Sequence, residues 1–292
     1  MKKGSQKPSQ QALGNALRLG ILCLLALVLG TSVAQAQVYG YVVVNGSLLV
    51  VDASTNAVVA TVPGLAIPRA VDVSPDGSQV YVTIFNGVAV IDAATNTLLT
   101  TVPTGNIPIG TVFTPDGSTA YVGNNASATV SVIDRATQTV TATVGPLGLS
   151  GIGITPDGSE VWVGVGSLSG ASIVIIDTAT NTISTTFPTG HGLNGAFGID
   201  FTSDGAFAYL ANSDNTVSAI DTATLATVAA VPVGSLPFAL ALTPDDAFAY
   251  TPNLTGASVR SSTRRRIRWP PPCRWARSRE TSPSPPTVPA RG

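Results

Sequence analysis

The chain has 292 residues, with 29 Gly, 21 Pro, two Cys, one His and a formal net charge of −1. That charge hides two unlike parts: residues 38–259 carry only Arg69 and Arg135 against fifteen carboxylates, whereas residues 260–292 carry nine Arg and one Glu. A body with two cations cannot neutralise a run of phosphates, which excludes nucleic-acid binding; one His and no body Cys exclude a zinc cluster and a disulfide framework.

In chain order, residues 1–36 read as an export signal. Lys2, Lys3, Lys7 and Arg18 are followed by an apolar run over residues 19–30, and Ala34-Gln35-Ala36 is a small-x-small cleavage site. The apolar run falls short of the roughly 20 residues that span a bilayer. Expected localisation is therefore secreted, periplasmic or at the cell surface, with Gln37 leading the mature chain and no membrane span after cleavage. Leu22 before Cys23 stands where a lipoprotein signal needs a small residue.

From residue 38 the chain repeats one plan. An apolar run such as residues 70–73 leads into Ser-Pro-Asp-Gly, then an aromatic strand, a strand ending Val-Ile-Asp, the turn Ala-Thr-Asn-Thr, and a last strand near Val-Pro. These runs are short and rich in Val, Ile, Thr and Tyr, which suits pleated pairing and not helix. The strand aromatic recurs at Tyr41, Tyr81, Tyr121, Trp162, Tyr209 and Tyr250, in steps of 40 to 47 residues. The aspartate after the third strand recurs at Asp52, Asp92, Asp134, Asp177 and Asp221, and that of Pro-Asp-Gly at Asp76, Asp116, Asp157, Asp204 and Asp245. Four antiparallel strands per unit of about 40 residues predict an all-β fold, a β-propeller of four-stranded blades over residues 38–259. The aspartates have a local explanation in their hairpins, where Asp bonds the backbone two residues on and Gly takes the positive φ.

With these elements in view, the chain resembles the YVTN-type β-propeller repeat proteins of bacterial and archaeal exteriors. The named tetrapeptide is approached by Tyr81-Val82-Thr83-Ile84, Tyr121-Val122-Gly123-Asn124 and Tyr209-Leu210-Ala211-Asn212, and is complete in none. The Val-Ile-Asp-x-Ala-Thr-x-Thr and Pro-Asp-Gly elements match better. The resemblance implies a ring, commonly of seven blades. Similar rings occur in sugar-lactone hydrolases and in quinoprotein and haem enzymes, but no reaction transfers residue by residue.

The pattern stops in mid-blade after Val259. Residues 260–292 are Arg- and Pro-rich, and a basic disordered tail is one reading. The other follows from the genetic code. GC-rich codons for residues 260–275, read from the last base of the Arg260 codon, give Val-Ile-Asp-Thr-Ala-Thr-Asn-Thr-Val-Ala-Ala-Thr-Val-Pro-Val. The recovered turn aspartate falls at position 263, 42 after Asp221, and the recovered Pro-Asp-Gly aspartate at 287, 42 after Asp245. Residues 260–292 are accordingly read as a one-nucleotide frameshift, so Cys273, Trp269 and Trp275 are not read as sites. Residues 38–62 lack a first strand and the last unit lacks its outer ones, so the expected ring is incomplete, with five to six blades and an unpaired edge.

Pro-Asp-Gly and Ala-Thr-Asn-Thr fall on one face of such a fold, and the connections that vary in length fall on the other. Variable loops on a rigid scaffold are where binding evolves. The candidate binding residues are therefore Asn124 and Asn125 in one variable turn, and His191 and Asn194 in the longest blade-to-blade loop. No phosphate loop, Ser/His/Asp spacing or paired catalytic carboxylates rises above turn chemistry, and no metal or cofactor is assigned. The expected function is a non-enzymatic binding or scaffold module for a protein or glycan. The alternative is a lactonase-like or quinoprotein-like enzyme with its site at the ring centre.

Overall fold

The computed structural model describes residues 38–145, 147–167, 170–190, 196–237 and 239–253. The signal segment, the loop carrying His191 and Asn194, and residues 260–292 lie outside these. Among the described residues there are twenty-one strands and no helix, so none is long and apolar enough to cross a membrane.

The first sheet has three strands, β1 (Tyr39–Val44), β2 (Ser47–Asp52) and β3 (Val58–Pro63). Four four-stranded sheets follow. The second comprises β4 (Val71–Val73), β5 (Gln79–Ile84), β6 (Gly87–Asp92) and β7 (Thr97–Pro103). The third comprises β8 (Pro108–Phe113), β9 (Thr119–Asn124), β10 (Thr129–Asp134) and β11 (Thr139–Val144). The fourth comprises β12 (Leu149–Ile154), β13 (Glu160–Ser167), β14 (Gly170–Asp177) and β15 (Thr182–Pro188). The fifth comprises β16 (Ala196–Phe201), β17 (Phe207–Asn212), β18 (Thr216–Asp221) and β19 (Ala226–Pro232). β20 (Ala241–Leu242) and β21 (Ala249–Tyr250) begin a sixth. Each sheet is an antiparallel meander in sequence order, and no ladder among the described residues joins the first to the last. The missing inner strand of the first unit and the truncated sixth both match the sequence expectation of an incomplete ring.

Burial explains the strand chemistry. The second and third strands of a blade are covered on both faces, so β5 and β6 are almost continuously buried and read as unbroken apolar runs. The fourth strand is an edge: β7 and β15 bury one residue each, and Thr fills half of the exposed positions. The ladder between third and fourth strands slips at one place in all five units that have it, at Val50/Val51, Val90/Ile91, Val132/Ile133, Ile175/Ile176 and Ala219/Ile220. A bulge at a fixed position raises local twist, so every blade acquires the same pitch.

The core is a series of seams. Tyr81, Val88 and Val90 of the second sheet pack on Phe113, Val122 and Ile133 of the third. Trp162 and Ile173 of the fourth pack on Phe201, Leu210 and Ile220 of the fifth. Edge-to-face rings sit in both seams, Tyr81 on Phe113 at 4.7 Å and Trp162 on Phe201 at 5.3 Å, a geometry that adds about 0.5–1.5 kcal/mol to the area buried.

Candidate functional site

The two faces are built differently. On the face of the near-constant turns, the Pro-Asp-Gly aspartates and those after the third strands are engaged in their own hairpins. Asp76, Asp116, Asp157, Asp204 and Asp245 each accept a hydroxyl two residues before them, from Ser74, Thr114, Thr155, Thr202 and Thr243. Asp92, Asp134, Asp177 and Asp221 accept both the N–H and the hydroxyl of the Thr three residues on. These bonds hold the carboxyls below the usual carboxylate range, the Thr114 hydroxyl first at Asp116 and the Thr95 N–H first at Asp92. Among the described residues no group of three or more His, Cys, Asp or Glu could hold a metal.

The same face stitches blade to blade. Tyr81 donates its hydroxyl to Gln138 Oε1 and Tyr121 to Asn181 Oδ1, both at 2.8 Å, each reaching the last turn of the following blade. Burial pushes the Tyr121 phenol up to about 12, with the Asp177 charge adding to the shift. In the next seam the turn residue is Leu225 and the aromatic is Trp162, whose indole N–H turns to Glu160 at 2.8 Å. Aromatic and turn residue change together.

A second exchange lies at Ser203 and Asp246. In the third and fourth blades the turn reads Pro-Asp-Gly, with Gly at positive φ facing the preceding blade's Pro ring. A Cβ on Gly158 would lie 2.5 Å from Pro115 Cδ. Ser203 replaces that Pro and Asp246 replaces the following blade's Gly at φ +53. The Asp246 carboxylate then accepts the Ser203 N–H at 3.0 Å, a donor Pro does not have, and its hydroxyl at 2.6 Å.

The opposite face carries the candidate binding residues. Asn124 ends β9 fully buried, its Nδ2 donating to Thr129 Oγ1 at 3.2 Å and Ser131 Oγ at 2.9 Å. Asn212 makes the equivalent bonds in the fifth sheet. Asn124 Oδ1 has no hydrogen-bond partner among the described residues. Asn125 is exposed in the turn, and its Nδ2 donates to Leu149 O of the next blade. The structure thus places these two back to back, one inside and one outside; His191 and Asn194 lie outside the described residues.

Sequence reasoning missed two features near these loops. Ile67, Ile107 and Leu236, each before a Pro, have φ of +51°, +52° and +52°. A β-branched residue there is strained, and the following Pro disfavours helical backbone too. Hydrogen bonds hold the corner: Ile107 N donates to Phe85 O, and its carbonyl accepts from Asn125 N, both at 3.0 Å. Ile67 leaves 58% of its surface exposed. The second feature is a carboxylate on the innermost strand, Asp72 opposite Tyr81 and Asp200 opposite Tyr209. Burial pushes Asp72 up to about 6, against the opposing hydrogen bond from Val73 N–H. Asp200 is raised for the same reason, although it accepts the N–H of Leu242 in the next blade at 2.7 Å.

No protein-family model matches the chain, and no curated protein matches it in sequence. Solved structures do resemble it. The hydrazine synthase of Kuenenia stuttgartiensis has a chain that matches with a TM-score of 0.54 at 19% identity, over 71% of this chain and 86% of that one. A chain of a mitotic checkpoint complex matches with a TM-score of 0.63 at 18% identity, over 73% of this chain and 66% of that one. The fold is a β-propeller. At these identities the likeness concerns the fold alone.

Proposed function

We propose that the protein is an exported, non-enzymatic β-propeller of the YVTN type that binds a protein or glycan partner through its variable-loop face. One observation supports this most: the recurring aspartates of the constant face are taken up by their own turns, while the other face presents strained, hydrogen-bonded corners and an exposed Asn125. Asn125, His191 and Asn194 form the proposed surface, and Asn124 fixes the end of β9 beside it through Thr129 and Ser131. The frame reading belongs to this proposal: the natural product continues in the shifted frame past Val259 and completes the sixth blade, so resequencing of the locus should find the missing base. The test applies the labelled full chain to a glycan array and a library of displayed extracellular domains. Asn125→Ala with Ile67→Asp should abolish a saturable signal that Ser118→Ala, on the constant face, leaves intact. Equal loss from both variants would count against the proposal.

The enzymatic alternative draws on one observation, the raised carboxyls Asp72 and Asp200 on the innermost strands. On that reading Asp72→Asn should abolish turnover of lactone substrates while the variable-face double variant leaves it unchanged. A frame-restored protein without lactone turnover would remove it.

A further inference from the structure

Because the seams repeat, the group that fills a position in one seam is a template for the same position in another. In the seam between the second and third blades that position holds a guanidinium. Arg135, immediately after the turn aspartate Asp134, donates to Asp76 Oδ2 at 2.7 Å, Gln79 Oε1 at 3.0 Å, Gly117 O at 3.3 Å and the hydroxyl of Ser78. Counted from the Pro-Asp-Gly aspartate, the equivalent acceptors between the fourth and fifth blades are Asp157, Glu160, Gly205 and Ser159. All four line one cavity of about 490 Å³. The residue at the Arg135 position is Thr222, also in the lining. Its hydroxyl donates to Gly205 O at 2.7 Å, the carbonyl that Arg135 Nη1 engages in the other seam, and to Ala206 O at 3.1 Å.

The charge balance differs in the same sense. Over the same positions the template holds two carboxylates, Asp76 and Asp116, one amide, Gln79, and one guanidinium, Arg135. The cavity is lined by Asp157, Glu160 and Asp204 and by no basic side chain. The Thr155 hydroxyl, then Ser159, hold the Asp157 carboxyl below the usual carboxylate range, so it is ionised at neutral pH. The position of Glu160 is Thr119 in the third blade and Phe207 in the fifth, so the second carboxylate is particular to this seam.

We propose that the cavity between the fourth and fifth blades receives an arginine side chain of a partner protein, held by Asp157 and Glu160 as Asp76 and Gln79 hold Arg135. Two carboxylates spaced along one hairpin suit the planar fork of a guanidinium better than the point charge of an ammonium. A peptide-borne arginine fits better than the free amino acid, whose α-carboxylate would approach Asp204, with Asp246 beside it on Ser203. The site lies on the constant face, so it stands or falls apart from the variable-face proposal.

The test is an NMR titration of the ¹⁵N-labelled full chain with Nα-acetyl-L-arginine N-methylamide, its lysine counterpart and free L-arginine. Saturable shifts centred on the amides of Ser159 and Thr222 are expected for the blocked arginine, with weaker binding of the other two. Thr222→Arg, which supplies the guanidinium from within the chain, should abolish the shifts. Glu160→Gln, which reproduces Gln79, should weaken binding roughly tenfold, the loss expected for one charge-assisted hydrogen bond; it keeps the test decisive if Thr222→Arg does not fold. Undiminished binding by either folded variant, or no saturable shift at all, would overturn the site. Equal binding of the lysine probe would overturn the guanidinium assignment, and equal binding of free arginine the assignment to a peptide.

Discussion

The exchange of Pro-Gly for Ser203-Asp246 gives the sharpest energetic test of how neighbouring blades are matched. Asp246→Gly removes the acceptor of the Ser203 N–H and hydroxyl at 3.0 and 2.6 Å. Bonds to a charged group are worth about 1.5–3 kcal/mol, and these partly exposed ones belong at the lower end. The same change relieves a non-glycine residue at φ +53, worth about 1 kcal/mol. The net loss is about 0.5–1 kcal/mol. Ser203→Pro removes both donors and brings a ring against the Asp246 side chain, so it costs about 2 kcal/mol or more. The double variant restores the Pro–Gly pairing seen between the other blades and should lie near wild type. The cycle therefore predicts a favourable coupling of roughly 2.5–3 kcal/mol, well above the ~0.5 kcal/mol of independent sites. Chemical denaturation of the four proteins, followed by far-UV circular dichroism at constant m, measures it. Additive single losses would refute the matched-pair account.

Asp72→Asn should stabilise the protein at alkaline pH. The folded carboxyl is raised from 3.8 to about 6, so its burial costs nothing while it is protonated in both states and becomes unfavourable as pH rises from about 4 through 6. Two pH units correspond to about 3 kcal/mol as an upper figure; denaturant midpoints should separate above pH 6 and converge below pH 4. Arg135→Ala should lower the denaturation midpoint at low salt and much less in 1 M NaCl, because Asp76 is an exposed partner; a salt-independent loss would assign Arg135 to packing alone.

The repeat period was enough to read the sheets, their order and the face on which each turn lies, because backbone periodicity and turn chemistry are local. Seam chemistry was not legible in this way. Arg135 and Asp76 are 59 residues apart, Tyr121 and Asn181 are 60 apart, and nothing in either local segment points to the other. Asp72 lies within the stretch 70–73, which reads as an apolar run, and its meaning depends on an innermost strand burying it. Asn124 has the composition of a loop residue, yet the ladder carries β9 one residue further and turns its side chain inward onto Ser131. The strained Ile–Pro corners had a legible signal, an apolar residue before Pro at matching places in successive units, but the sign of φ is not written in that pair.

Hydrogen exchange on the full chain, resolved to single strands by mass spectrometry, tests the central claim most directly: the protein is a row of propeller blades whose middle is complete and whose ends are not. The account predicts the slowest exchange in β5, β6, β9, β10, β13, β14, β17 and β18, which lie between two strands and under a neighbouring blade, with β1 and β20–β21 exchanging orders of magnitude faster. Protection of β1, β20 and β21 equal to that of β9 and β10 would contradict it, because it would require strand partners that the described ladders do not contain.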